Sequence, residues 1–546
     1  MTHFRNAVLI MTLLPQFVAA QAATAPAASL TPQPTVHAPA GLVYVVPMQV
    51  LPPAQQVVDP ANAAVVASQP QAVGTQQPIQ PQAPPLGVEG VEQTPVATTT
   101  PCINVPACFG QCPPTADGKP SPCAKSHKPL FFDNNFSYLN DPEYTGCCFG
   151  DSLKQIGQEC GPKLDVGGQL RWRFHSERGM GQQAGALRFQ ATDNEFLLLR
   201  ARLYANLELH DKVRLFAEGI YADVAGANAE YVSRGIDENW GDFLNLFADI
   251  RLTDDTTVRI GRQELLLGAQ RLVSPLDWAN TRRTFEGVRV LHKHDNLAID
   301  GFYTNFVPVV DNEIDEANYD LSFYGVYTSR KEEKDTFDLY YLGFDNQTTN
   351  FSLHTIGTRL LGGRGDLVYD FEGGAQFGRQ SGLGLEHESA YATLGFGRKI
   401  KHDWKPVLWF YWDYAAGNNT GGDFNRFNQL FPLAHKYLGF IDAVQRSNVE
   451  SPNVLLTMQP TKKFKLLFWY YHFMSNQDSD IVPAIGGTPN QAITSKDLGD
   501  ELDILGIWSL GPRSQLLAGY SRFWIGNKIL ETTDADFAYV QYQVNF

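Results

Sequence analysis

The chain has 546 residues, a formal net charge of −15 and only 18% charged residues. Twenty-two of its 33 prolines but only four of its 65 aromatic residues precede residue 131, and acids and bases cancel in that stretch, so the excess acidity belongs to the remainder. This split excludes a single globular domain, and an acidic body lacks the basic footprint that nucleic-acid binders need.

Residues 1–22 read as a secretory signal: Arg5 supplies the positive start, Ala7 to Leu14 an apolar run, and Val18-Ala19-Ala20 and Ala20-Gln21-Ala22 offer small residues at cleavage spacing. No later stretch reaches the length of an apolar spanning helix, which leaves a soluble protein or a closed β-barrel. Residues 23–100 form a Pro/Ala/Gln/Val tract that cannot bury a core and suits an extended, disordered tether. Residues 101–163 carry all seven cysteines, Cys102, Cys108, Cys112, Cys123, Cys147, Cys148 and Cys160. Export implies an oxidising compartment, so disulfides are expected, with one thiol left over. No C-x-x-C pair is present to suggest a metal site, and no cofactor motif occurs. The module also holds a turn-rich aromatic run from Leu130 to Leu139.

From residue 164 to 546 the pattern turns to period two. Leu164, Val166, Leu170, Trp172 and Phe174 alternate with Asp165, Gln169, Arg171, Arg173 and His175. Leu197, Leu199, Ala201 and Leu203 oppose Arg200, Arg202 and Asn206, and the alternation returns at 367–377 and 502–510. Segments of about ten residues with one apolar and one polar face fit tilted strands crossing a bilayer. Clusters such as Trp409-Phe410-Tyr411-Trp412 and Phe468-Trp469-Tyr470-Tyr471 resemble interfacial aromatic girdles. The last strand alternates to a terminal Phe546, which resembles the signature that outer-membrane barrels present to their insertion machinery. About eighteen segments fit the span, and an even count places both barrel ends, and the tail, in the periplasm. The expected architecture is therefore an all-β, transmembrane antiparallel barrel of about 18 strands in a bacterial outer membrane.

One block departs from the repeat: Arg259-Ile260-Gly261-Arg262-Gln263-Glu264, then Arg271, Pro275, Asp277-Trp278, Arg282-Arg283, Phe285-Glu286-Gly287 and Arg289. It resembles the R-x-G-R-Q-E and W-x-x-x-R-R-x-F-[DE]-G core of the alginate export family. The resemblance implies an eighteen-stranded barrel whose basic constriction passes an anionic polysaccharide. The residues read alone agree in part. The projected polar face of the early strands holds Arg171, Arg173, Arg200, Arg202, Arg214, Arg251, Arg259 and Arg289 against Asp165, Glu208, Glu218 and Asp249. Such an excess focuses anions, and guanidinium forks suit carboxylates; equally, the arginines can pair with the interleaved acids and fill the lumen. The later strands lean acidic through Asp338, Asp370, Glu372 and Asp503. Arg262 falls on the apolar parity, so the Gly261-Arg262 step needs a bulge or the strand's end. Pro275 and Asp277-Trp278 suggest a loop folded toward the pore, with Asn280 to Arg283 as its basic tip and Arg271 on its way.

Gly150-Asp151-Ser152-Leu153 spells an esterase motif, but no D-x-x-H follows it, and no enzyme is expected. The first functional expectation is a passive channel for an anionic, alginate-like polysaccharide. The others are a general anion or carboxylate porin, and a barrel anchor whose residues 23–163 engage a periplasmic partner. Outer-membrane lipid is the expected surroundings in each.

Overall fold

The computed structural model describes residues 122–144, 148–157, 161–181, 192–228, 231–349, 351–380, 384–419, 422–481, 494–529 and 533–546. The expected signal, the Pro-rich tract and Cys102, Cys108, Cys112, Cys147 and Cys160 lie outside these residues. Cys123 and Cys148 are joined by a disulfide.

A two-residue strand β1 (Ile156–Gly157) leads into β2 (Lys163–Gly181), β3 (Thr192–His210), β4 (Val213–Ala225), β5 (Asn239–Arg251) and β6 (Thr256–Gln263). There follow β7 (Thr284–His294), β8 (Leu297–Val307), β9 (Asn318–Lys331), β10 (Asp335–Asn346), β11 (Phe351–Arg364) and β12 (Leu367–Gln380). The last are β13 (Leu385–Lys399), β14 (Val407–Ala415), β15 (Val449–Thr461), β16 (Phe464–Met474), β17 (Asp497–Ser509), β18 (Ser514–Ile525) and β19 (Ala535–Asn545). Each long strand pairs antiparallel with its sequence neighbours, and β19 pairs back onto β2 with Val540 opposite Phe174. Eighteen strands thus close into one barrel with no free edge, as a backbone in lipid requires.

Period two sorts the side chains. Outward-facing Phe174, Leu203, Ile260, Val288, Ile356, Phe396, Phe410 and Val540 are exposed, while their neighbours Arg173, Arg202, Arg259 and Tyr539 are buried inside. Such an apolar outer band would drive aggregation in water and is matched by a bilayer. The same rule divides the aromatic clusters. Phe410 and Tyr470 face out, but Trp409, Tyr411, Trp469 and Tyr471 point inward and stack in pairs within the lumen. These clusters are therefore only half girdle; the other half is core.

Connections at one end are short, as at 211–212, 252–255, 295–296, 365–366 and 462–463. Those at the other end are longer, among them 264–283 and 416–448. Lys163 and Asn545, the two ends of the barrel, both lie at the short-turn end. Connections 264–283 and 416–448 both fold inward; 264–283 is buried almost throughout, and among the described residues of 416–448 the stretches 426–433 and 438–448 are mostly buried.

Candidate functional site: a crossbar in the lumen

The block that departs from the period-two repeat builds the site. β6 runs through Gly261, whose φ of +127° and close approach to the Leu246 carbonyl (a Cβ there would sit 2.3 Å from that oxygen) leave no room for a side chain. Pairing with β5 and β7 continues without a register shift until the strand stops at Gln263, so the step needs no bulge. Arg262 keeps the outward parity and pairs with Asp242 at 3.2 Å and Glu286 at 3.4 Å. It is a rivet on the outer face and does not line the pore, a correction to its expected role.

From Glu264 the chain turns into the lumen. Gln270, Leu276 and Arg282 all take left-handed backbone (φ 65°, 57° and 63°). Non-glycine residues hold such angles only where surrounding contacts over-determine them. Those contacts come from three sides. The loop runs beside residues 430–433 of the second inward connection: Ser274 N donates to Phe431 O at 2.8 Å, Phe431 N to Leu272 O at 2.9 Å and Leu433 N to Gln270 O at 2.9 Å. Phe431 in turn seats in rings from Phe285, Phe306, Phe323 and Phe344, at centroid distances of 4.9 to 5.5 Å.

On the second side, the arginines of β2 and β3 grip the loop's backbone. Arg171 donates to the carbonyls of Asp277 (2.7 Å), Trp278 (3.3 Å) and Ala279 (3.2 Å). Arg173 donates to Trp278 O at 2.8 Å, with its guanidinium 3.3 Å from the centre of the Trp278 ring. Arg200 reaches Asp277 Oδ1 at 2.7 Å and Gln169 Oε1 at 2.7 Å. Trp278 is sandwiched between His175 and His435. On the third side, Arg271 pairs with Asp370 at 2.7 Å and Glu372 at 2.6 Å on β12, beside Arg359 of β11. β2–β3 and β11–β12 stand nine strands apart in a ring of eighteen. The loop therefore crosses the barrel from wall to wall as a crossbar.

The predicted arginines separate accordingly. Arg171, Arg173, Arg200, Arg202, Arg282 and Arg283 converge at the crossbar, all buried. Arg202 pairs with Glu218 at 2.6 Å. Arg282 pairs with Glu264 and Asp277, and Arg283 reaches the carbonyls of Ser274 and Pro432, so both brace the loop rather than form an open tip. These six guanidinium groups meet three carboxylates, Asp277, Glu218 and Glu264. Among the described residues Arg171, Arg173 and Arg283 have only carbonyl and amide oxygens as acceptors. A carbonyl dipole solvates a guanidinium without cancelling its charge, so a net positive charge remains.

The other arginines lie toward the short-turn end. Arg259 shares Asp249 with Arg214, and Arg289 pairs with Asp300. Arg251 is exposed at the mouth and lines a cavity of about 680 Å³ with Lys212, Arg214 and Arg259. The expected acidic lean of the later strands is answered locally: Asp338, Asp370 and Glu372 face Arg271 and Arg359, and Glu501 and Asp503 accept the backbone N–H groups of Ile441 and Phe440.

Two parts of the lumen went unread in the sequence. One is the 416–448 connection, whose only signal is the loss of alternation over a long aromatic stretch. The other is the run Leu130–Phe136, which lies inside the barrel against Tyr204, Phe216 and Phe247.

The model of the alginate export family matches residues 163–543. No curated protein matches the chain. Among solved structures, OccD3 (OpdP) of Pseudomonas aeruginosa is similar, with a TM-score of 0.51 at 13% identity, over 72% of this chain and 94% of that one. The outer membrane protein OpdK of the same organism aligns with a TM-score of 0.51 at 12% identity, over 70% of this chain and 98% of its own. These likenesses concern the fold; the family match spans the whole barrel with its crossbar block. The chain belongs to the alginate export family and is an outer-membrane channel barrel.

Proposed function

We propose that this barrel passes an anionic saccharide chain by passive diffusion along the β2–β3 wall. The observation that carries this reading is the crossbar cluster, where Arg171, Arg173, Arg200, Arg202, Arg282 and Arg283 outnumber Asp277, Glu218 and Glu264. In a lumen bounded by low-dielectric walls such an excess raises the local concentration of anions. Planar guanidinium forks suit the carboxylates of a polyuronate, and several moderate contacts let a translocating chain leave again. On this reading the short-turn end faces the periplasm, and the tail of residues 23–163 with it, whose part outside the barrel would meet a periplasmic partner.

A small organic anion is the second reading, favoured by the two inward connections, which take up much of the lumen's width. One experiment addresses both. The purified full chain is placed in a planar bilayer under a KCl gradient, and the reversal potential gives its selectivity. Anion preference with block by polyuronate supports the chain-passing reading, and block by monomeric uronate alone supports the second. Cation preference refutes both.

A further inference from the structure

The short-turn mouth is occupied by part of the chain itself. Leu130, Phe131, Phe132 and Phe136 are 3–5% exposed, although they belong to a small Cys-rich segment that precedes the barrel. Phe131 packs on Tyr204 with ring centres 5.2 Å apart, and Phe132 edges onto Phe216 and Phe247 at 5.8 and 5.3 Å. The same two rings cover lumen cations: the Arg202 guanidinium lies 4.0 Å from the centre of Phe131, and that of Arg259 lies 4.2 Å from Phe132. Arg214 donates to Phe132 O at 2.7 Å and Asn134 to the Tyr204 hydroxyl at 3.3 Å. The insert reaches as far as the crossbar, where Arg282 touches Pro129 O at 3.5 Å.

The flanks of the insert are moored on the rim. Asp151 accepts from Arg513 on the β17–β18 turn at 2.6 Å and from Tyr138 at 2.6 Å. Lys154 donates to the carbonyls of Val166 and of the terminal Phe546, the latter at 3.2 Å. The Cys123–Cys148 disulfide bridges the two flanks. An aromatic wedge on a cross-linked, rim-moored loop, stacked on cations that face the lumen, has the build of a stopper that can leave without being lost.

The geometry points to an autoinhibitory plug: Pro129–Phe136 closes the short-turn mouth of the barrel and is displaced to open it. The plug can be read with KCl alone, so it is independent of which solute passes, though it rests on the barrel being a channel. The test uses the full chain in planar bilayers, with folded barrels verified by heat-modifiable migration. A Phe131→Ser/Phe132→Ser variant is expected to raise single-channel conductance or open time several-fold. An Asp151→Asn/Arg513→Met variant, which touches only the mooring, should move it in the same direction. Amide exchange over 129–136 should be protected in the wild type and fast in both variants. Equal, non-zero conductance in all three proteins, or unprotected 129–136 amides in the wild type, overturns the plug alone. Silence in all three overturns the channel reading and the plug with it.

Discussion

Replacing Arg271 by methionine isolates one end of the crossbar. The side chain is 1% exposed and touches Asp370 at 2.7 Å and Glu372 at 2.6 Å. Methionine keeps much of the volume, so the cavity contribution is small. What remains is electrostatic: Asp370 and Glu372, with Asp338 nearby, keep Arg359 as their one contacting cation among the described residues, at 2.9, 3.7 and 3.8 Å. Removing one partner of a buried ion pair costs about 3–5 kcal/mol, or roughly 140- to 4000-fold in a local equilibrium at about 1.4 kcal/mol per decade. The β2–β3 grip and the 430–433 ladder persist, so the barrel should stay closed while the crossbar frees itself from β12. Amide exchange across residues 269–273 should accelerate by at least two orders of magnitude, with noisier, larger conductance in bilayers. Adding Glu372→Gln removes one stranded charge and should restore at least half of the lost protection, a double-mutant coupling that a packing defect would not produce. Unchanged exchange in the single variant, or no rescue in the double, refutes the account of Arg271 as an electrostatic anchor.

Acidification should loosen the N-terminal insert. Burial, aided by Arg513 and opposed by Asp165 and Asp151, holds Lys154 at about 7, against an ordinary value of 10.5. The docked lysine is thus neutral between about 7 and 10.5 while the released one binds a proton, so docking strengthens as pH rises through that window and levels off below it. Burial, then Arg513 and Lys154, hold His127 well below its ordinary 6.5, which continues the same trend on the acid side. Conductance should therefore fall from pH 6 to pH 9, and Lys154→Met should flatten the part above 7; a rise with pH refutes the assignment. Separately, Cys123→Ser/Cys148→Ser removes the bridge across 25 residues and should weaken docking by about 2–4 kcal/mol, read as faster exchange over 129–136. Finally, Arg171→Met and Arg173→Met, which leave no carboxylate partner behind, should each reduce the anion preference seen in reversal potentials; an unchanged preference assigns both to bracing the crossbar.

The barrel wall was legible because one physical rule wrote it. A strand between lipid and lumen must alternate, so the inward positions of Arg171, Arg173, Arg200, Arg202 and Arg259 follow from parity alone. Parity also put Arg262 outside, although its motif suggested the pore. The lumen filling obeys no such period. Residues 426–433 are buried within the lumen and follow no alternation, so their aromatics carry no register, and Phe431 reads in sequence like any loop residue. The inward bend of 264–283 was visible through Pro275 and Trp278, but the tip was not. Arg282 and Arg283 face back toward Glu264 and Ser274, and Asn280 donates to the carbonyls of Leu199, Asp223 and Asp237, while the wall's arginines take the carbonyls at 277–279. Leu130–Phe136 stood out as aromatic and turn-rich, yet nothing local shows that its binding site is formed by β3 to β6, more than sixty residues later.

The net charge of −15 and an arginine-lined lumen are reconciled by how each cation is capped. On the β12 wall the crossbar's Arg271 meets carboxylates, so charge cancels and the contact is a staple. On the β2 wall Arg171 and Arg173 meet carbonyl oxygens, which orient and partly solvate them but leave their charge in place. The two ends of the crossbar therefore differ: the β12 end is neutralised by its own ion pairs, whereas at the β2–β3 end six guanidinium groups meet only three carboxylates in contact. That excess is the reason for proposing an anion route on the β2–β3 side. The plug's rings lie instead over Arg202 and Arg259, which already pair with Glu218 and Asp249; an aromatic face adds attraction to a paired guanidinium without competing with its carboxylate, so the rings hold the closed mouth by packing and cation–π contact alone.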